Sequence, residues 1–103
     1  MIKINGRNWD IVICEPCNPA LATSAGYCAL GVCDDNIGKI YIQTGLSREK
    51  MRKVLCHELT HAAMFSYNID LDYWTEEIVA DLIATYGEQI IGETGRMFDY
   101  LTE

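Results

Sequence analysis

Residues 51–63, MRKVLCHELTHAA, decide the fold expected for the second half of the chain. The apolar residues of this segment recur at intervals of three and four, the spacing of an amphipathic helix. They are Met51, Val54, Leu55, Leu59, Ala62 and Ala63. Ser47 can cap such a helix, and Glu49 lies in its first turn, where a negative charge suits the helix dipole. The pattern therefore predicts a helix from Arg48 to about Tyr67.

Both histidines of the chain lie in this helix, within the motif His57-Glu58-Leu59-Thr60-His61. Side chains four residues apart share one helix face, so the two imidazoles can bind one metal ion. Glu58 follows the first histidine, where its carboxylate can act as general base towards a water molecule that the metal activates. The alternative is a surface helix with two solvated histidines. The position of the motif in the middle of the helix favours a metal site.

A second helix, predicted to begin near Thr75, can supply the third protein ligand that a catalytic zinc requires. Glu77 and Asp81 are four residues apart and share one face of this helix. Small residues on or beside that face would let the two helices approach closely; they are Ala80, Ala84 and Gly87. In this arrangement Glu77 binds the metal, and Asp81 accepts the second N–H of His57 and so orients that ring.

Three other acidic residues compete with Glu77 for the metal. Glu76 is expected to be an exposed acid of the first turn, favoured there by the helix dipole. Asp70 and Asp72, in the turn that connects the two helices, are further alternatives. The ligand set favoured by the sequence remains His57, His61 and Glu77.

The C-terminal tail is predicted to hold two hinge glycines, Gly92 and Gly95, and then a short helix from Arg96 to Glu103. Two roles are open for this segment. Its apolar residues can cover the core, as those of short terminal helices often do. Alternatively, its acidic groups can reach the open position of the metal and hold the protein in a latent state.

The first half of the chain has the patterns of strands. Residues 2–14 alternate loosely around the turn dipeptide Asn5-Gly6, which predicts a β-hairpin. Residues 15–27 are rich in proline, glycine and small residues and predict a loop. A second hairpin is expected, with strands at Cys28–Cys33 and Lys39–Gln43, the latter with one buried face. The fold class predicted is α+β, with a small antiparallel sheet packed on the two helices.

Composition limits the classes of function. A chain of 103 residues suits one domain, residues 1–103, and half of it is hydrophobic. The net charge of −7 lacks the positive field that binds nucleic acid. No apolar run approaches a membrane span, and Met1–Arg7 does not resemble a secretory signal. We therefore expect a cytoplasmic protein that binds neither nucleic acid nor membranes.

The five cysteines are expected to be mostly buried small hydrophobic residues in a reducing compartment. Cys14 and Cys17 have the CxxC spacing of a thiol redox site, but the segment that follows them is a weak helix. A structural zinc site that adds Cys28 and Cys33 is a further possibility, although its second half is irregular.

The motif His57–His61 followed by Glu77-Ile78-Val79-Ala80-Asp81 resembles the HExxH…ExxxD arrangement of gluzincin metallopeptidases. The short length is similar to that of the minigluzincins, and Glu77–Asp81 resembles the ImmA/IrrE-like phage and prophage peptidases. The resemblance implies that His57, His61 and Glu77 bind Zn²⁺, that Glu58 is the base and that Asp81 orients a ligand. It also implies a peptide or protein substrate extended along an edge strand, a role that Lys39–Gln43 could fill.

The sequence thus predicts a zinc-dependent peptidase. The alternative is a phage or prophage protein with a gluzincin-like fold that binds zinc or a partner without catalysis. Both hypotheses predict bound metal, so metal content does not separate them, whereas substitution of Glu58 does.

Overall fold

The computed structural model describes the whole chain, from Met1 to Glu103, as four strands and two long helices. The strands are β1 (Ile2–Ile4), β2 (Arg7–Cys14), β3 (Gly31–Asp34) and β4 (Lys39–Gln43), and the helices are α1 (Arg48–Ser66) and α2 (Tyr73–Thr102). A single 3₁₀ turn, Pro19–Leu21, interrupts the predicted loop between β2 and β3. The α+β fold class is confirmed.

The sheet is mixed, and the prediction of an antiparallel sheet is wrong. Its strand order is β1-β2-β4-β3, with β2 and β4 parallel and the other two pairs antiparallel. Both predicted hairpins form, but β4 inserts between β2 and β3. This central position buries Ile40 and Ile42, which have at most 1% of their surface exposed. It also makes β3 an edge strand, so the expectation of an edge at Lys39–Gln43 is wrong.

The core lies between the sheet and α1. Trp9 from β2, Ile40 and Ile42 from β4 and Ala62 from α1 form one fully buried cluster. The indole Nε1 of Trp9 donates a buried hydrogen bond to the hydroxyl of Ser66, at 2.8 Å. This bond satisfies the polar atom of the largest core side chain. Since it joins β2 to the last residue of α1, it also anchors the end of that helix to the sheet.

Both helices begin at capping residues. The side chain of Ser47 accepts a hydrogen bond from the backbone N–H of Lys50, as the sequence predicts. Asp72 caps α2 by accepting bonds from the backbone N–H and the hydroxyl of Thr75. These bonds lower the pKa of the Asp72 carboxyl, because they stabilise its charged form.

Helix α2 continues without a break to Thr102, so the predicted hinge and separate terminal helix are wrong. A Cβ atom placed on Gly92 or Gly95 would meet no other atom within 4 Å. At 1.5 Å per residue, Asp99 lies about 33 Å along the helix axis from Glu77. The tail therefore projects from the body, and in this structure it neither covers the core nor reaches the histidines.

Neither helix is long and apolar enough to cross a membrane.

The first residue of β3 lies directly against α1. A Cβ atom on Gly31 would come within 2.7 Å of Val54 Cγ1 and 2.9 Å of Glu58 Cγ. Side-chain atoms in a packed interior do not approach this closely without displacement. Glycine at position 31 therefore sets the distance between the edge strand and the helix that carries the histidines.

We predict that Gly31→Ala lowers the free energy of unfolding by about 1–3 kcal/mol, because the added methyl group overpacks the contact with Val54 and Glu58. Urea denaturation followed by circular dichroism measures this change. Gly92→Ala is the matched control: its methyl group enters open space in a helix, so it should not lower stability. Equal losses in the two variants would contradict the assignment.

Candidate metal centre

The close contact between α1 and α2 brings the predicted site residues together. Ala80 is fully buried at this contact, and Ala84 and Gly87 are partly buried on the same side of α2. Ala80 bears out the prediction that a small residue of α2 packs against α1, whereas Gly87 borders a groove between the two helices. Because these side chains are short, longer carboxylate side chains on the same helix can reach across to the imidazoles.

Three side chains, those of His57, His61 and Glu77, lie close enough to hold one metal ion. Each offers one ligand atom, and these three atoms lie within 4.8 Å of one another. The Nε2 atoms of the two histidines are 3.1 Å apart. One carboxylate oxygen of Glu77 lies 2.9 Å from Nε2 of His61, and the other lies 3.3 Å from Nε2 of His57. All three side chains are partly or fully buried.

The remaining nitrogen of each histidine faces a carboxylate from α2. Nδ1 of His57 lies 2.9 Å from Asp81 Oδ1, the contact that the sequence predicts. Nδ1 of His61 lies 3.3 Å from Glu76 Oε2. Glu76 is therefore not the exposed acid that was expected, since only 18% of its side chain is exposed. Its position four residues before Ala80 places it on the face that contacts α1, a signal the sequence already contained.

The Nδ1 contacts suit imidazoles that bind a metal through Nε2. A carboxylate oxygen only accepts hydrogen bonds, so with a metal at Nε2, Asp81 and Glu76 can each accept the Nδ1 proton of a neutral ring. The lone pairs of both Nε2 atoms then point towards each other and towards Glu77. Three electron-rich atoms in such proximity need a cation between them or a shared proton.

The spacing also suits a metal ion. Two ligands of a tetrahedral zinc site with bonds of 2.0–2.1 Å lie about 3.4 Å apart. The two Nε2 atoms are 3.1 Å apart, and each lies 2.9–3.3 Å from a different oxygen of Glu77. One ligand atom from each residue lies within 4.8 Å of the other two. The donor set of two imidazoles and one carboxylate therefore fits a first-row divalent ion both in chemistry and in size.

Glu58 lies beside this ligand group and does not belong to it. The residue is buried, with 7% of its surface exposed. Burial raises the pKa of its carboxyl, and the nearby His57 and His61 partly offset this effect. The side chain contacts Gly31, so the carboxylate lies between the histidines and the edge strand β3.

A cleft of about 280 Å³ opens in front of Glu58. Its walls come from the start of β3, from one face of α1 and from α2; the lining residues are Leu30, Gly31, Lys50, Lys53, Val54, His57, Glu58 and Asp81. No strand pattern in the sequence places Gly31 at the site, because its position requires the packing of β3 on α1. Lys53 and Lys50 lie four and seven residues before His57 and so share its helix face, a signal that the sequence already contained.

The competing ligands do not join the group. Asp72 caps α2 instead, and Asp70 is exposed in the turn. Cys33 packs against the core. Burial is the main cause that raises the pKa of its thiol to about 12, and the negative charge of the Glu58 carboxylate is the second. Cys33 remains a neutral thiol near pH 7 and is a poor metal ligand in this state.

The cysteine pairing differs from each of the expected arrangements. Cys17 and Cys28, both exposed, form a disulfide, while Cys14, Cys33 and Cys56 are free. Cys14 is buried and does not pair with Cys17, so no CxxC redox pair forms. No four-cysteine metal cluster forms either. The disulfide closes the loop that precedes β3.

No known protein family, curated protein or solved structure matches this chain.

We predict a graded loss of metal affinity across the acidic residues of α2. Glu77→Ala removes a ligand and should weaken zinc binding most. Asp81→Asn and Glu76→Gln leave the three ligands in place but disturb the Nδ1 contacts, and each should weaken binding by about 10–100-fold. Competition with a chelating dye measures the affinities. Asp99→Asn, far along α2, is the control, and a loss in it equal to that of Glu77→Ala would contradict the ligand assignment.

Proposed function

We propose that this protein is a zinc-dependent peptidase of the gluzincin type. One observation carries the proposal: a two-histidine, one-carboxylate group adjoins a cleft through His57, and a buried carboxylate, Glu58, lines the same cleft. Zinc is the proposed ion, since imidazole and carboxylate ligands with three protein groups are typical of catalytic zinc sites.

The number of ligands supports catalysis over a structural metal site. Structural zinc sites are usually closed by four protein ligands, whereas catalytic sites keep one position open. Here the group contains three residues, and the cleft beside it reaches solvent. A zinc- or partner-binding protein without catalysis would need neither the open side nor a buried acid next to it.

When bound, zinc would lower the pKa of water and polarise a carbonyl group, which is the chemistry that peptide hydrolysis needs. The protein residues supply the proton transfers. Glu58 would take a proton from the attacking water on its carboxylate and later deliver it to the nitrogen of the departing amine. Asp81 and Glu76 would hold the two imidazoles in one orientation throughout, through their contacts with Nδ1.

The edge strand β3 offers a place for the substrate backbone. Strand β3 pairs with β4 on one side only, so its outer backbone groups are free to pair with an extended peptide. The contact between Gly31 and Glu58 places this edge next to the proposed base. A peptide bound along β3 would therefore present a backbone carbonyl to the cleft, where Lys50 and Lys53 also lie.

We predict that Glu58→Gln abolishes peptide cleavage but keeps the metal. The amide is nearly isosteric with the carboxylate and cannot accept the proton, so the rate should fall at least about 100-fold. Cleavage of a mixed peptide library, followed by mass spectrometry, measures activity, and elemental analysis of tag-free protein measures zinc. Glu49→Gln, an exposed position in the first turn of α1, is the matched control.

Two results would contradict this proposal. The first is less than about a tenth of an equivalent of zinc in the wild-type protein after zinc is supplied, because a catalytic site of this kind binds its ion tightly. The second is unchanged cleavage by Glu58→Gln. Zinc binding without cleavage by the wild-type chain would favour the non-catalytic alternative.

A further inference from the structure

Helix α2 carries an apolar face that no part of this chain covers. We call it the outer stripe; its members are Val79, Ile83, Tyr86, Ile90, Thr94, Met97 and Leu101. The five large residues from Ile83 to Leu101 have 40–74% of their surface exposed. Thr94 donates its hydroxyl to the backbone oxygen of Ile90, which leaves its methyl group to complete the stripe.

The size of the exposed surface indicates a missing partner. The chain exposes 7301 Å², whereas a compact monomer of its mass exposes about 5,800 Å². Its radius of gyration is 15.4 Å, against about 13 Å for a compact domain of this length. A standard interface hides about 800 Å² on each partner. The excess of about 1,500 Å² is therefore more than enough for one stable interface.

The projecting half of α2 also needs external packing to persist as a helix. Gly92 and Gly95 lie within it, and glycine is the least favourable residue in a helix interior after proline. No other element packs on these positions. Most helical stability in proteins comes from packing of an apolar face, so a partner on the outer stripe would stabilise this segment.

The spacing of the outer stripe is symmetric about Ile90. Steps of four, three and four residues lead from Ile90 to Leu101, and the mirror sequence of steps leads back from Ile90 to Val79. The pattern repeats every 11 residues, so the stripe follows an almost straight helix. A second copy of α2 lying antiparallel would meet an equivalent residue at each step.

We propose that this protein is a two-fold symmetric dimer in which the outer stripes of two α2 helices pack antiparallel. Ile90 then faces Ile90 of the second copy on the symmetry axis, Ile83 faces Met97, and Val79 faces Leu101. The contact on the axis occurs once and every other contact occurs twice, as an isologous interface requires. The dimer covers the projecting half of each α2 with the body of the other copy.

A groove beside the stripe accommodates this arrangement. It has a volume of about 750 Å³ and lies between Arg52 and Cys56 of α1 and Ile83, Gly87 and Ile90 of α2, among its lining residues. The absence of a side chain at Gly87 allows a second helix to approach closely. In the proposed dimer the tail of the second copy lies along this groove, whose lining includes the apolar residues Ile83 and Ile90.

The charges of α2 argue against a membrane as the occupant. Membrane-surface helices carry Lys and Arg on their polar face. The projecting half of α2, from Gly92 onwards, instead carries one arginine, Arg96, and with the last residue of the chain three acids, Glu93, Asp99 and Glu103. Anionic lipid would repel such a helix, whereas the outer stripe of a second copy presents apolar groups and no charge.

Sedimentation equilibrium tests the proposal, which does not depend on the metal or on peptidase activity. The full-length protein should sediment at about twice its chain mass of 11.6 kDa between about 1 and 100 µM. Ile90→Glu should shift it to the monomer mass, because two charges would meet on the symmetry axis. Ile78→Glu is the matched control: this equally apolar residue is exposed on another face of α2 and should leave the dimer intact.

Disulfide cross-linking tests the antiparallel register and keeps the proposal falsifiable if Ile90→Glu misfolds. Ile90→Cys should form a covalent dimer on mild oxidation. A mixture of Ile83→Cys and Met97→Cys should cross-link one to the other in preference to like with like. The wild-type protein controls for its own free cysteines. A monomeric wild-type protein, or preferential like-with-like linkage at positions 83 and 97, would overturn the proposal.

Discussion

The close packing of α2 on α1 is the constraint on which the rest of the site depends. Ala80 has no exposed surface, and its short side chain lets the two helix axes come near each other. A larger residue there would separate the helices and move the α2 carboxylates away from both imidazoles. The same contact therefore buries apolar surface and assembles the metal-binding group. Stability and the geometry of the site have one common cause.

Three carboxylates of α2 contact all four ring nitrogens of the two histidines. Glu77 faces both Nε2 atoms, while Asp81 and Glu76 each face one Nδ1 atom. Three residues within a six-residue stretch of α2, Glu76, Glu77 and Asp81, thus determine the orientation of both rings. This gives an acidic helix a specific role: its negative charges offset the cation that the site is proposed to hold.

On its opposite side, α1 is held in position by the sheet. The Trp9–Ser66 hydrogen bond and the cluster of Ile40, Ile42 and Ala62 hold the helix on the strands. Gly31 then brings the edge strand within contact distance of Glu58. Helix α1 therefore lies between a rigid apolar layer and an acidic helix, with the cleft at their junction. The projecting half of α2 lies outside this unit and exposes apolar surface that its own chain does not use.

The sequence by itself determined α1 with its Ser47 cap, the presence of a second helix near Thr75 and the histidine pair, because these depend on residues within a few positions of one another. Ser47, the spacing of His57 and His61, and the small-residue face around Ala80 all express local helix geometry. Only the tertiary structure decided that β4 is central and that Gly31 touches Glu58. Each of these features depends on contacts between segments that are distant in the chain. The free energy of those contacts outweighs the local strand and helix propensities, which differ little between the alternatives.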